Sequence, residues 1–228
     1  MKQTKPQILF ENNQLVVLDK PSGMVIHPFD FSNEPTVLDF LQENYLEVFN
    51  IENKFTLQDK REINLGGIVH KLDRDTSGIL VVARTQHAFD ELKKQFRNHE
   101  INKEYIALVN GILKDDQILI DAPLGRSKKD FKQSTQPENL RGEMREAITV
   151  LEVIKRNENT TLVKLIPQTG RTHQLRAHMA SIGHPIVGDK SYGSKIESER
   201  IMLHAEKISF ELNNQKNNFE SQLPQDFK

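Results

Sequence analysis

Short apolar runs bounded by turn residues recur along most of this chain, and three stretches switch to the helical period. "QILFENNQLVVLDKPSG" reads as two short strands around an Asn-Asn turn, closed by a Pro-Ser-Gly loop. "MVIHP" continues as a short extended piece and stops at Pro28. Apolar residues at 37, 38, 41, 45, 46 and 49 have helical spacing, with Thr36 placed as N-cap. Residues 50–66 are polar and irregular, which predicts a loop. "GGIVHKLDRDTSG" predicts a loop with a short extended start, followed by the strand "ILVVA".

Thr85 then caps a predicted helix, "QHAFDELKKQFRNH", with Phe89, Leu92 and Phe96 on one face. "KEYIALVNGIL" and "QILIDAPL" read as strands, and 125–145 as a polar, basic excursion. Two β-branched runs around Asn-Glu-Asn, within 146–168, predict a hairpin. "TGRTHQLRAHMASIG" predicts a helix starting near Thr169 or Thr172, with Leu175, Met179 and Ile182 as its buried face and Gly183 at its end. "RIMLHAEKISFEL" is a last strand, and 213–228 is expected to be a polar tail, loose apart from Phe219, Leu223 and Phe227. Strands joined by hairpins and short helices, in no regular βαβα order, predict an α+β fold with a mixed, mostly antiparallel sheet. No repeat or linker interrupts the pattern, so 1–228 is expected to form one domain.

Composition narrows the function. The 228 residues are 36% apolar and 28% charged, without cysteine. Disulfides, thiolate nucleophiles and cysteine-bound zinc are thereby excluded. No apolar run reaches the roughly 18 residues of a membrane span, and "MKQTKPQILFENN" has no signal-peptide core. A cytoplasmic monomer is expected. A net charge of −1 does not mark a nucleic-acid binder, but charge is unevenly placed. Residues 1–70 carry 6 basic and 10 acidic side chains, and 71–190 carry 20 and 16, so the middle of the chain is mildly basic.

Three clusters bear chemistry. In "HKLDRDTSG", residues 70–78, Asp73 and Asp75 stand at the mouth of an apolar strand. Such a carboxylate is a candidate nucleophile, acid, base or ligand, and equally a turn cap balanced by Lys71 and Arg74. In "TGRTHQLRAH", Arg171 near a helix start is not favoured by the dipole and points to an anion, although a solvated polar face explains the pattern as well. His173 and His178 are roughly 140° apart around a helix, which argues against zinc. Tyr105, between apolar strand neighbours, reads by itself as a core residue. GxGxxG, P-loop and G-x-S-x-G motifs are absent, as is any metal-spaced set. No metal or cofactor is expected.

Taken in order, the segments "DKPSGMVIHP", "GGIVHKLDRDTSGILVVART", "KEYIALVNG", "TGRTHQLRAHMASIGHPIVGDKSYG" and "RIMLHAEKISF" resemble the RluA-type pseudouridine synthases over nearly the whole chain. The resemblance implies isomerisation of a uridine in a loop or bulge of folded RNA, ribosomal or transfer, without a cofactor. It implies Asp73 as nucleophile, Tyr105 stacked on the flipped uracil, and Arg176, with Arg171 second, paired to the aspartate. Lys71, Arg74, Arg171, His173 and Gln174 are the implied RNA contacts. The family pattern H-R-L-D-x-x-T-S-G has arginine where this chain has Lys71, and lysine lacks the planar group that stacks on a base. "FELNNQ" stands where a His-Pro pair is common. The motifs begin at residue 8, so the N-terminal S4 RNA-binding domain of many relatives is not expected. Two rivals remain: a glycoside or nucleoside hydrolase using Asp73 with Asp75, and a non-catalytic RNA-binding module.

Overall fold

Two apolar strands carry the first half of the fold, and the reason is visible in their alternation. In a computed structural model that describes residues 5–28, 34–57, 60–128 and 132–227, β1 (Gln7–Glu11) and β2 (Leu15–Lys20) form the expected hairpin. Helix α1 (Val37–Asn44) follows, then β3 (Lys54–Thr56), β4 (Glu62–Asn64), β5 (Ser77–Ala83) and α2 (Gln86–Arg97). β2 and β5 pair antiparallel, from Leu15 opposite Ala83 to Lys20 opposite Gly78. Leu15, Val17, Ile79 and Val81 pack with Ala88, Phe89 and Leu92 of α2. Val16, Leu18, Leu80 and Val82 pack with Val37, Leu38 and Leu41 of α1. Both strand faces are therefore covered, which is why these strands read as unbroken apolar runs.

Both helix starts follow the sequence. Thr36 Oγ1 accepts from the Asp39 N–H at 3.2 Å while Asp39 Oδ2 accepts from the Thr36 N–H at 2.8 Å, a reciprocal capping box. Thr85 Oγ1 accepts from the Ala88 N–H at 3.2 Å. The first helix ends earlier than its spacing predicts: Tyr45 leaves helical geometry, and Leu46–Asn50 continue as a 3-10 turn.

The chain continues through β6 (Asn102–Asn110), β7 (Gln117–Asp121), β8 (Leu124–Ser127), β9 (Gln133–Ser134), β10 (Leu140–Arg145), β11 (Ile148–Arg156) and β12 (Thr160–Pro167). After α3 (Gln174–Ser181) come β13 (Leu203–Leu212) and β14 (Gln215–Glu220). The residues group into two compact units, one running to Ile101 and rejoined by Lys207–Ser221, the other Asn102–Glu206 with the residues from Gln222 on. In the second unit β6, β12, β11 and β7 are neighbours in that order, all antiparallel. Leu175 and Met179 of α3 pack with Ile106, Val163, Leu165 and Ile186. The architecture is the expected α+β, with a large, mostly antiparallel sheet and three helices. Among the described residues no helix is long and apolar enough to cross a membrane.

Four segments differ from the expectation or add to it. Residues 50–66 are not wholly irregular, because β3 and β4 pair across them. The piece at 24–28 is broken by bends at Ile26 and His27. The 125–145 excursion is largely a small sheet, with strand order β10-β8-β9. The polar tail is ordered: β14 pairs with β13 around Asn213 and Asn214, both left-handed at φ 53° and 57°, as a two-residue hairpin turn requires. Phe227 is then buried, and Arg200 grips Asp226 through two hydrogen bonds of 2.7 and 2.9 Å.

The loop before β5 lies tight against that strand. Gly67 O accepts from the Ala83 N–H at 2.8 Å, and a Cβ on Gly67 would stand 1.8 Å from Ala83 O. No side chain fits there without moving the loop. Gly67→Ala is therefore expected to destabilise the protein by roughly 3 kcal/mol in urea unfolding. Gly142→Ala meets nothing within 4 Å and bears only its positive φ, so about 1 kcal/mol is expected. Equal losses would remove the close approach as the reason for Gly67.

Candidate active site

The Asp73 loop is held through its main chain. Lys20 is 0% exposed, and its ammonium donates to the carbonyls of Pro21 (2.9 Å), Met24 (2.8 Å) and Arg74 (2.9 Å). The Gly23 N–H also donates to Arg74 O at 2.9 Å, and Ser22 Oγ to Asp75 O at 2.7 Å. The Thr76 N–H closes a turn onto Asp73 O at 3.2 Å. On the other side His70 Nε2 accepts from the Val81 N–H at 3.0 Å, which requires that nitrogen to be unprotonated. The His70 ring stacks on Phe96 with centroids 4.9 Å apart. The bracing runs through the carbonyls next to Asp73 and through His70. Asp73 itself is half-buried.

Lys71 is docked on the protein surface. Its Nζ stands 3.6 Å from the centre of the Phe55 ring and 3.4 Å from His27 Nε2. The His27 Nδ1 contact with Pro28 O, 3.0 Å, fits a proton on Nδ1 and leaves Nε2 to accept from the lysine. Burial, then the nearby Lys93, lowers the Lys71 pKa, and burial lowers that of His27. Arg74 is exposed and engaged with Glu34 Oε2 at 2.7 Å and Gly23 O at 3.2 Å.

The second unit organises "TGRTHQLRAH" differently from expectation. The helix begins at Gln174, not at 169 or 172, because His173 is left-handed at φ 53°. It has no solvated polar face: Gln174 through Met179 are all buried. Gln174 Oε1 accepts from Thr169 Oγ1 (2.7 Å) and the Arg171 N–H (3.0 Å), while Nε2 donates to Ile148 O (3.0 Å) and Thr149 Oγ1 (3.1 Å). Its amide is fully engaged inside the protein, where it shapes the loop. One turn on, His178 bridges Thr149 Oγ1 and Ala122 O, both at 2.9 Å. Burial lowers its pKa, outweighing the Ala122 hydrogen bond.

Arg176 is the buried cation of the second unit. Its Nε and Nη2 donate to the two Asp189 oxygens at 2.7 and 3.0 Å, a bidentate pair with side chains 8% and 0% exposed. The guanidinium also lies over the Tyr192 ring, 5.0 Å from its centre. Tyr192 Oη meets His173 Nδ1 at 3.2 Å and accepts from the Gln133 N–H at 2.9 Å. Arg171 is half-buried, its Nε donating to Glu146 O at 3.1 Å. Tyr105 stands on β6 opposite Leu165 and packs partly against the core. Among the described residues no group of three or more His, Asp or Glu is placed to hold a metal.

Reading by residue type missed Lys20, His70, Asp189 and Tyr192. Each lies in a quoted motif, but its task is set by a partner distant in sequence. Fixing Arg176 by a buried carboxylate makes Asp189 critical: Asp189→Asn leaves the guanidinium uncompensated and is expected to lower unfolding stability by about 3 kcal/mol. Asp116→Asn breaks the pair with Arg156, where Asp116 is 83% exposed. Less than about 1 kcal/mol is expected there. Similar losses in urea melts would show that burial does not set the weight of the Arg176 pair.

Known proteins place this arrangement. The family model described as RNA pseudouridylate synthase matches residues 14–181, a span that includes Asp73, Tyr105 and Arg176. A Bacillus subtilis protein named uncharacterized RNA pseudouridine synthase YlyB is 34% identical, over 96% of this chain and 69% of its own length. The Haemophilus influenzae dual-specificity RNA pseudouridine synthase RluA is 36% identical, over 89% of this chain and 85% of its own. An Aquifex aeolicus relative, an uncharacterized RNA pseudouridine synthase, is 37% identical, and the match spans 57% of its length. The human RNA pseudouridylate synthase domain containing 1 shares the fold at a TM-score of 0.78, with 23% identity over 96% of this chain and 84% of that one. The chain therefore belongs to the RNA pseudouridylate synthase family.

Proposed function

We propose that the chain isomerises a specific uridine of folded ribosomal or transfer RNA to pseudouridine, with Asp73 as nucleophile and no cofactor. The observation that carries this reading is the bracing of the Asp73 loop. A buried ammonium and two neighbouring groups hold the carbonyls beside Asp73, so the carboxylate has a fixed origin within the matched family span. Nucleophiles need such support from neighbours because small displacements are costly in rate.

The chemistry suits a carboxylate. Cleaving the C1′–N1 bond leaves a uracil anion and an electron-poor sugar. The Asp73 carboxylate either adds to C1′, leaving again when C5 bonds there, or removes the C2′ proton and returns it as C5 bonds to C1′. The freed uracil turns and bonds to C1′ through C5, the C5 proton leaves, and N1 regains one, so uridine and product are isomers. Tyr105 stacks on the uracil and helps remove the C5 proton. Arg176, held by Asp189, is the basic residue assigned to support the aspartate. Reaching the base requires flipping it, at about a few kcal/mol of unstacking. Loops and bulges lower that cost, which favours a uridine in one of them. Lys71 enters the gap left by the base, leaving the Phe55 and His27 dock.

Asp73→Asn is expected to fold normally and lose activity by on the order of 10⁴-fold or more. Tritium release from RNA labelled at uridine C5 measures it, and activity within tenfold of wild type excludes the role. Asp75→Asn should lose far less, whereas an equal loss together with free uracil would favour the paired-carboxylate hydrolase.

Activity is also expected to survive excess EDTA once the RNA has been folded with Mg²⁺. Loss that Zn²⁺ restores, and that refolding the RNA does not, would overturn the metal-free mechanism.

A further inference from the structure

Lys103 is a charged residue that the fold does not account for. It precedes Tyr105 by two positions on β6, so both side chains leave the strand on the same face. Its side chain is half-buried, and burial alone lowers its pKa. The neighbouring carboxylate does not compensate it: Glu104 pairs with Lys164 at 3.5 Å, and Lys164 also meets Glu152 at 3.6 Å. Among the described residues no hydrogen bond or ion pair reaches Lys103. A cation drawn from water and given no internal partner weakens the fold.

Gly170 sharpens the point. Three glycines of the chain lack a positive φ. A Cβ on Gly67 or Gly125 would collide with Ala83 or Leu140, so packing accounts for both. A Cβ on Gly170 would make only an ordinary contact, 3.8 Å from Lys103 Nζ. Neither backbone nor packing requires glycine there, and its effect is to leave the ammonium approachable from an exposed position. Arg171 comes next, its Nε tied to Glu146 O and its outer nitrogens without partners among the described residues. The loop between them is preset: Thr169 Oγ1 accepts from the Ile148 N–H at 3.1 Å, and the Gln174 amide holds Thr169 and Arg171.

We propose that Lys103, with Arg171 beyond Gly170, seats one RNA phosphate beside the nucleotide that Tyr105 receives. The side chains offered are donors only, which suits a phosphodiester oxygen and reads no base edge. Seating the phosphate next to the tyrosine sets the register of the strand on β6. The inference rests on the function proposed above and assigns Lys103 a binding role, outside the chemical step.

The test uses the full chain and total RNA from cells lacking the gene, labelled at uridine C5. Binding is measured across a range of KCl concentrations for wild type, Lys103→Met and Lys103→Arg, with tritium release and melting temperature recorded for each. For Lys103→Met, Kd is expected to rise about tenfold. The slope of log Kd against log salt should become shallower by about 0.7, one phosphate on a single strand. Turnover at saturating RNA should stay within threefold, and the melting temperature should hold or rise. Lys103→Arg should restore the slope. An unchanged slope in Lys103→Met overturns the phosphate seat, as does lost turnover with unchanged binding. Binding needs no catalysis, so a wild type that shows the Lys103-dependent slope but releases no tritium supports the seat and overturns the proposed activity.

Discussion

Everything around Asp73 depends on a lysine that never meets water. Lys20 ends β2 opposite Gly78, and its ammonium is enclosed by the carbonyls of Pro21, Met24 and Arg74. Three N–H groups meet three acceptors, which makes burial of the charge tolerable. Two of the carbonyls shape the loop after β2, and the third belongs to the residue after Asp73. A single buried charge thus ties the first strand pair to the loop that bears the candidate nucleophile. The same logic explains why the apolar strands flanking it are so regular: β2 must present Lys20 at the end of a face otherwise filled by Val16 and Leu18.

The second unit relies on buried polarity in a similar way. Gln174 and His178 lie one turn apart and bind Thr149 together, with Thr169 and Ala122 completing the chain of hydrogen bonds. Arg176 turns the other way onto Asp189 and Tyr192. An eight-residue helix with every residue from Gln174 to Met179 buried has little intrinsic stability. Its position comes from these satisfied polar contacts together with Leu175 and Met179 in the core. Hydrogen-bonded polar groups specify one arrangement more sharply than apolar packing does, which suits a segment that must hold a guanidinium in place.

Lys103 follows the opposite rule. Lys20, Arg176 and His178 are buried with partners, whereas Lys103 is partly buried without one among the described residues. Proteins carry such unfavourable groups where binding compensates them. The half-exposed Lys71 is intermediate, resting on Phe55 and neutral His27. Its contact with the ring is weak, at about 1 kcal/mol for an exposed cation over an aromatic face.

Period and punctuation in the sequence determined the backbone: the β2 and β5 runs, α2 behind Thr85, the β11–β12 hairpin around Asn-Glu-Asn, and the place of Asp73 in a loop before an apolar strand. These are local properties, set by residues within a few positions of one another. The order of the motifs also carried the family. Only the tertiary structure decided which charges meet. Arg176 and Asp189 are separated by thirteen positions and Lys20 and Arg74 by fifty-four, and no spacing rule links either pair. The all-round burial of α3 was hidden because Gln, Arg and His look solvent-facing until their partners are known. The tail escaped because its apolar points, Phe219 and Phe227, are few, although Asn213-Asn214 is the same Asn-Asn turn signal that marks the first hairpin. A buried polar side chain is stable only where distant backbone and counter-charges converge on it, and that convergence is a property of the fold, not of any local stretch of sequence.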